Sequence, residues 1–117
     1  MSALRTFLLI VWLVIARYTS IVAANHGLNL LPVFFGDMAS LTWPGQFNLD
    51  FFCMLMLSGL WVSWRHQFSL PGLALGLLAV LGGAFFLSAY LLVVSFQVQG
   101  EMKALLLGKA RAAVDNS

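Results

Sequence analysis

Charge is the scarcest property of this sequence: 9% of its 117 residues are Asp, Glu, Lys or Arg, against about 25% in a typical soluble domain. So little charge excludes a water-soluble fold. Six basic and four acidic residues leave a net charge of +2. The pI near 9.1 therefore reflects few charges rather than a basic surface, which excludes nucleic acid as a partner. Cysteine occurs once, as Cys53 inside an apolar run, so neither an internal disulfide nor a CxxC metal or redox motif can form. Also missing are GxSxG, a phosphate-binding loop and HxxxH or HExxH spacing, and no Ser, Thr or Cys has a base at recognisable motif distance. The sequence therefore assigns no catalytic, cofactor-binding or metal-ligating residue, and the chain reads as a non-enzyme.

What is there is apolar: 62% of residues are hydrophobic and the mean hydropathy is +0.95, in a length that allows one integral membrane domain over 1–117. Three runs are long enough to span. The first covers about 4–24, which at 1.5 Å per residue matches a hydrocarbon core of roughly 30 Å, and a single charge, Arg17, interrupts it. The second covers about 47–64; Asn48 and Asp50 lie in its first turn, and Trp61, Trp64, Arg65 and His66 close it as an interfacial belt. The third covers about 70–98 without a charge, opened by Ser69 as N-cap and Pro71 in the first turn. At ~40 Å it exceeds the core and is expected to tilt or to project into the headgroups.

Between the first two spans, residues 25–46 hold three glycines, two prolines and one acid, Asp37, with an apolar patch from Leu28 to Phe35 too short to cross. This segment is expected to be an interfacial loop lying on the bilayer. Residues 101–117 are expected to form a weak juxtamembrane helix that frays near Asp115. The expected fold class is thus an all-α membrane protein of three transmembrane helices, one interfacial loop and a short C-terminal helix. A cleavable signal peptide is imitated by Arg5, the apolar stretch from Phe7 to Ala16 and Val22-Ala23-Ala24, but the apolar run continues past Arg17, which suits a retained anchor.

Orientation is poorly specified, because three straight spans put Arg5 and Arg65 on one side and Lys103, Lys109 and Arg111 on the other. The long first loop has no Lys or Arg beyond the helix-embedded Arg17, which favours the N-terminus inside.

Arg17 is the most informative residue, since a basic side chain at a helix centre costs about 2.5–3.5 kcal/mol on insertion scales and needs a partner or water. Asp50 enters the membrane from the same surface to a similar depth, so an Arg17–Asp50 ion pair is expected, with Tyr18, His26, Asp37 and Asn48 as polar neighbours. The pair either fixes helix register or forms a polar site open to the first loop. His26 and His66 follow different spans and so lie at opposite surfaces, too far apart to share a haem.

The third helix carries small residues at Gly72, Gly76, Ala79 and Gly83, spaced four, three and four apart, a stripe that lets helix backbones approach closely in lipid. Such a stripe serves packing within the three-helix unit or docking to another membrane protein or a second copy. Finally, the run from Asn25 to Leu30 after a first span, then Phe47 to Asp50 opening a second that closes with Trp61 to Arg65, resembles small bacterial integral membrane proteins grouped as a domain of unknown function. That resemblance covers about Val14 to Gly108; it implies the cytoplasmic membrane of a bacterium and no activity, cofactor or catalytic residue.

Two functions follow from these residues: an accessory or assembly subunit that packs through its Gly-rich third helix, or an oligomeric transporter or sensor of a small solute or lipid that uses an Arg17–Asp50 site. The lipid bilayer is a partner in both.

Overall fold

The computed structural model describes residues 2–115, with side chains described through 113. Every element is helical, with no strand among the described residues: α1 (Ser2–His26), α2 (Leu31–Ala39), α3 (Trp43–Arg65), α4 (Leu70–Gln97), α5 (Met102–Leu107) and α6 (Lys109–Asp115). α1, α3 and α4 are long and apolar enough to cross a membrane, as their hydropathy predicts. Local chemistry sets the boundaries. α1 stops where Gly27 takes φ +77° and its N–H donates to the Ala23 carbonyl at 2.8 Å, a left-handed cap that glycine supplies at no steric cost. Pro44 stands in the first turn of α3, and Ser69 caps α4, its hydroxyl accepting from the Gly72 N–H at 3.2 Å. The loop expected at 25–46 contains one helix of nine residues, α2, which packs along the start of α3.

α4 is not straight. At Gly83 the backbone adopts φ 56°, ψ −141°, and the helical conformation is interrupted. His66 shows what this break does. A Cβ added at Gly72 would lie 2.5 Å from His66 Cβ, while the His66 ring nitrogen Nε2 is 2.6 Å from the Tyr90 hydroxyl. Gly72 and Tyr90 would stand about 27 Å apart on a continuous helix. The two limbs, residues 70–82 and 84–97, therefore form a helical hairpin that enters and leaves at the same end of α3. Its tip, Gly83, meets Phe51 and Leu55 about halfway along α3. The excess length of the third apolar run is absorbed by this reversal and not by tilt.

The hairpin lies between the other two long helices. Its first limb fits the small-residue stripe against α3: Gly72, Gly76 and Ala79 are buried, and a Cβ at Gly76 would sit 2.8 Å from the Gly59 carbonyl and collide with Ser63 Oγ. The stripe is thus used inside the chain, and its buried residues are not an exposed docking face. The second limb runs antiparallel to α1, with Trp12 stacked on Phe85 at 5.2 Å. There Arg5 donates to Ser95 Oγ at 3.0 Å and to the Ser95 carbonyl at 2.9 Å. α1 and α3 each pack on α4 and hardly on each other.

The core lies at the end of the bundle where α3 finishes. Val62 and Ala79 are fully buried, and Val94, Val98, Ala104, Leu105 and Ala112 join them. The tail breaks into two helices at Gly108, which has φ +86° and leaves only 2.8 Å between an added Cβ and the Arg65 carbonyl. α6 continues to Asp115, and the expected fraying beyond it falls on residues outside those described. Elsewhere, large apolar side chains such as Leu57 and Leu81 face outward, as helices solvated by lipid do.

Candidate functional site

Arg17 and Asp50 do not pair within the chain. Both are exposed, neither side chain has a hydrogen bond or ionic partner among the described residues, and the hairpin stands between their helices. The expected pair assumed that consecutive spans are neighbours, whereas the third apolar run inserts between the first two. The remaining predicted neighbours scatter. Tyr18 is 70% exposed, His26 is exposed at the end of α1, and Asp37 is half-buried on α2. Asn48 donates to the Phe34 carbonyl at 3.1 Å, so its amide ties α2 to α3 and serves no charge pair.

The polar side chains that do converge are at the opposite end, around Arg65. This residue is only 9% exposed. Its Nε donates to the Leu105 carbonyl at 2.6 Å, Nη2 to the Ala104 carbonyl at 3.1 Å, and Nη1 to the Tyr90 hydroxyl at 3.3 Å. A buried cation without a carboxylate is costly. Here the last carbonyls of α5 oppose it, and these carry the negative end of the helix dipole. Trp61 adds a bond from Nε1 to the Leu106 carbonyl at 3.1 Å. The relation is reciprocal: Arg111 of α6 donates to the Trp64 carbonyl near the end of α3, and its guanidinium lies 4.0 Å from the Trp64 ring centroid, within cation–π range. Two arginines, Arg65 on the last carbonyls of α5 and Arg111 on a carbonyl in the last turn of α3, lock the tail across the end of the bundle.

Because the Tyr90 hydroxyl accepts from Arg65, its single proton is available to His66 Nε2. Burial holds the His66 imidazole below its ordinary value of 6.5, and the adjacent Arg65 charge pushes the same way. His66 is therefore neutral at pH 7, and in the tautomer protonated at Nδ1 its Nε2 accepts the Tyr90 proton. An Arg, a Tyr and a His in contact resemble a reactive set, yet the Arg65 nitrogens and the Tyr90 hydroxyl are each engaged with one another, with His66 or with a backbone carbonyl. The arrangement is a structural clamp. The sequence signals were Trp61, Trp64, Arg65 and His66 at one helix end, readable as an interfacial belt, but their bond to the tail depends on the reversal at Gly83.

One cavity of about 730 Å³ lies away from this clamp. Trp12, Ala16 and Thr19 of α1 form one wall, the hairpin tip at Gly82 and Gly83 borders it, and Phe51 and Leu30 complete it. It exists because the hairpin reaches only halfway, leaving the upper halves of α1 and α3 without a helix between them. Compared with protein-family models, curated proteins and solved structures, the chain matches none.

Proposed function

We propose that this chain is a non-enzymatic subunit of a larger assembly in a bacterial cytoplasmic membrane. The observation that carries this reading is the contrast between the two ends of the bundle. One end is closed by the arginine clamp. The other leaves an open cleft and two charges, Arg17 and Asp50, that have no partner among the described residues and lie inside helices long and apolar enough to cross lipid. Charges in such positions need partners, and a further chain supplies them. The Gly-rich stripe has no part in this association because it is consumed within the chain. A transport or sensing site made of Arg17 and Asp50 in one chain has no comparable support, since the two residues stand on separated helices. The resemblance to small bacterial membrane proteins agrees with this assignment and adds no activity.

The orientation proposed has both ends of the chain in the cytoplasm. Of the six Lys and Arg residues, Arg5, Arg65 and Arg111 are bonded at the clamped end, and Lys103 and Lys109 belong to the tail helices packed there. Five basic residues on one side is the bias that holds a membrane protein with that side inward. The test is to tag the protein at native expression, extract it gently, and measure by mass spectrometry and light scattering what accompanies it. A particle containing more than this one chain is expected. A lone monomer in lipid nanodiscs would refute the assignment.

A further inference from the structure

We propose that the partner is a second copy of this chain, joined through an ion pair between Arg17 of one copy and Asp50 of the next. This rests on the subunit reading above and names the partner. Three observations converge. First, the charges are matched in height: Arg17 lies nine residues before the end of α1 and Asp50 seven after the start of α3, about 13 and 10 Å from the same end of the bundle at helical rise. Second, each charge sits within an exposed apolar stripe at alternating steps of four and three. On α1 the stripe is Ile10, Val14, Arg17 and Ile21; on α3 it is Phe47, Asp50, Met54 and Leu57. That spacing is the seam along which helices pack side by side, and a single polar group within such a seam sets register and partner choice. Third, α1 and α3 flank the hairpin, so the stripes are available to a neighbouring molecule while being held apart within one chain.

A copy of the chain answers both charges at once. In a closed head-to-tail ring, every Arg17 faces an Asp50 at the same height. A different protein would have to bring an acid and a base of its own to these heights. α1 and α3 run in opposite directions between the same two ends, so α1 of one copy lies antiparallel to α3 of another without either molecule inverting in the membrane.

The experiment uses the full chain in lipid nanodiscs, with Arg17→Asp and Asp50→Arg made separately on differently tagged copies. The wild type is expected to assemble. Each variant alone is expected to lose at least tenfold of its assembled fraction, because every contact then opposes like charges. Co-expression of the two variants is expected to restore mixed particles carrying both tags, since in alternation each acid then meets an arginine of a neighbouring copy. This complementation cannot arise from a pair within one chain, and its success also shows that both variants fold. Retained assembly of either variant alone would overturn the proposal, as would failure of the mixture to assemble. A stable complex with other proteins that holds one copy of this chain would overturn it too, while leaving the subunit reading intact. A monomer that accompanies nothing would end both.

Discussion

Replacing Arg65 by Met keeps an unbranched apolar stem of similar reach and removes every guanidinium donor. The Ala104 and Leu105 carbonyls belong to residues 4% and 2% exposed, so water does not readily replace the lost partner. A bond from a charged donor contributes roughly 1.5–3 kcal/mol, and two such bonds give roughly 3–6 kcal/mol. Relief from burying an uncompensated cation offsets part of this. A net loss of about 3 kcal/mol in tail docking corresponds to an opening equilibrium about 150-fold larger. The assay is amide hydrogen exchange in nanodiscs, read at the Gly108 and Ala112 amides, which donate to the Ala104 and Gly108 carbonyls at 2.9 and 3.0 Å. Their exchange is expected to accelerate by about two orders of magnitude, as local opening controls it, while amides in the middle of α1 keep their rates. Unchanged exchange at Gly108 and Ala112 would show that the tail is held by apolar burial alone and that the clamp has no energetic role.

Reporter domains fused to the two ends of the chain are expected to report the same side of the membrane; opposite sides would contradict the reversal at Gly83. Gly83→Ala forces a side chain into a backbone region that is essentially glycine's own, at a cost of about 1–3 kcal/mol, and brings its Cβ to 3.0 Å from Phe51. Its thermal midpoint is expected to fall by several degrees, and an unchanged midpoint would count against the strained turn. Gly76→Val overpacks the contact with Gly59 and Ser63 by roughly 1–3 kcal/mol and is expected to lower the midpoint comparably without releasing any partner; loss of assembly with normal stability would return the stripe to an intermolecular role. For His66, the folded state lowers the pKa, so the native protein binds fewer protons than the unfolded one. The stability this group contributes is then complete above about pH 6.5 and is lost as pH falls below that value toward the lower folded pKa. His66→Gln is expected to flatten the pH dependence of unfolding between about pH 7.5 and 5, and an equal slope in the variant would assign the dependence elsewhere.

Hydropathy alone made most elements legible. The expected spans at 4–24, 47–64 and 70–98 correspond to helices at Ser2–His26, Trp43–Arg65 and Leu70–Gln97, and Ser69 caps the third as its residue type suggests. What hydropathy does not encode is the path between ends. The reversal depends on one backbone angle at Gly83, and Gly82-Gly83 reads equally well as the end of a small-residue stripe. Once α4 folds back, the apparent conflict between Arg5 and Arg65 on one side and the tail cations on the other disappears. The candidate site was less legible for the same reason. An Arg17–Asp50 pair within the chain requires α1 beside α3, and the hairpin packed between their lower halves holds the two helices apart, leaving a cleft at the height of the two charges. Conversely, Tyr90 is distant from Arg65 along any straight helix and reaches it only through the turn.

The hairpin also simplifies how the chain must be delivered to its membrane. In the proposed orientation, where α1 and α3 cross and α4 returns to its side of entry, the segment between them that must be carried through the bilayer is the short connection from the end of α1 to the start of α3, whose sole formal charge is Asp37. In that orientation Lys103, Lys109 and Arg111 stay on the side on which they are made. A tail bearing three cations follows an apolar run of 28 residues, and in the proposed orientation its charge opposes passage of that run to the far side.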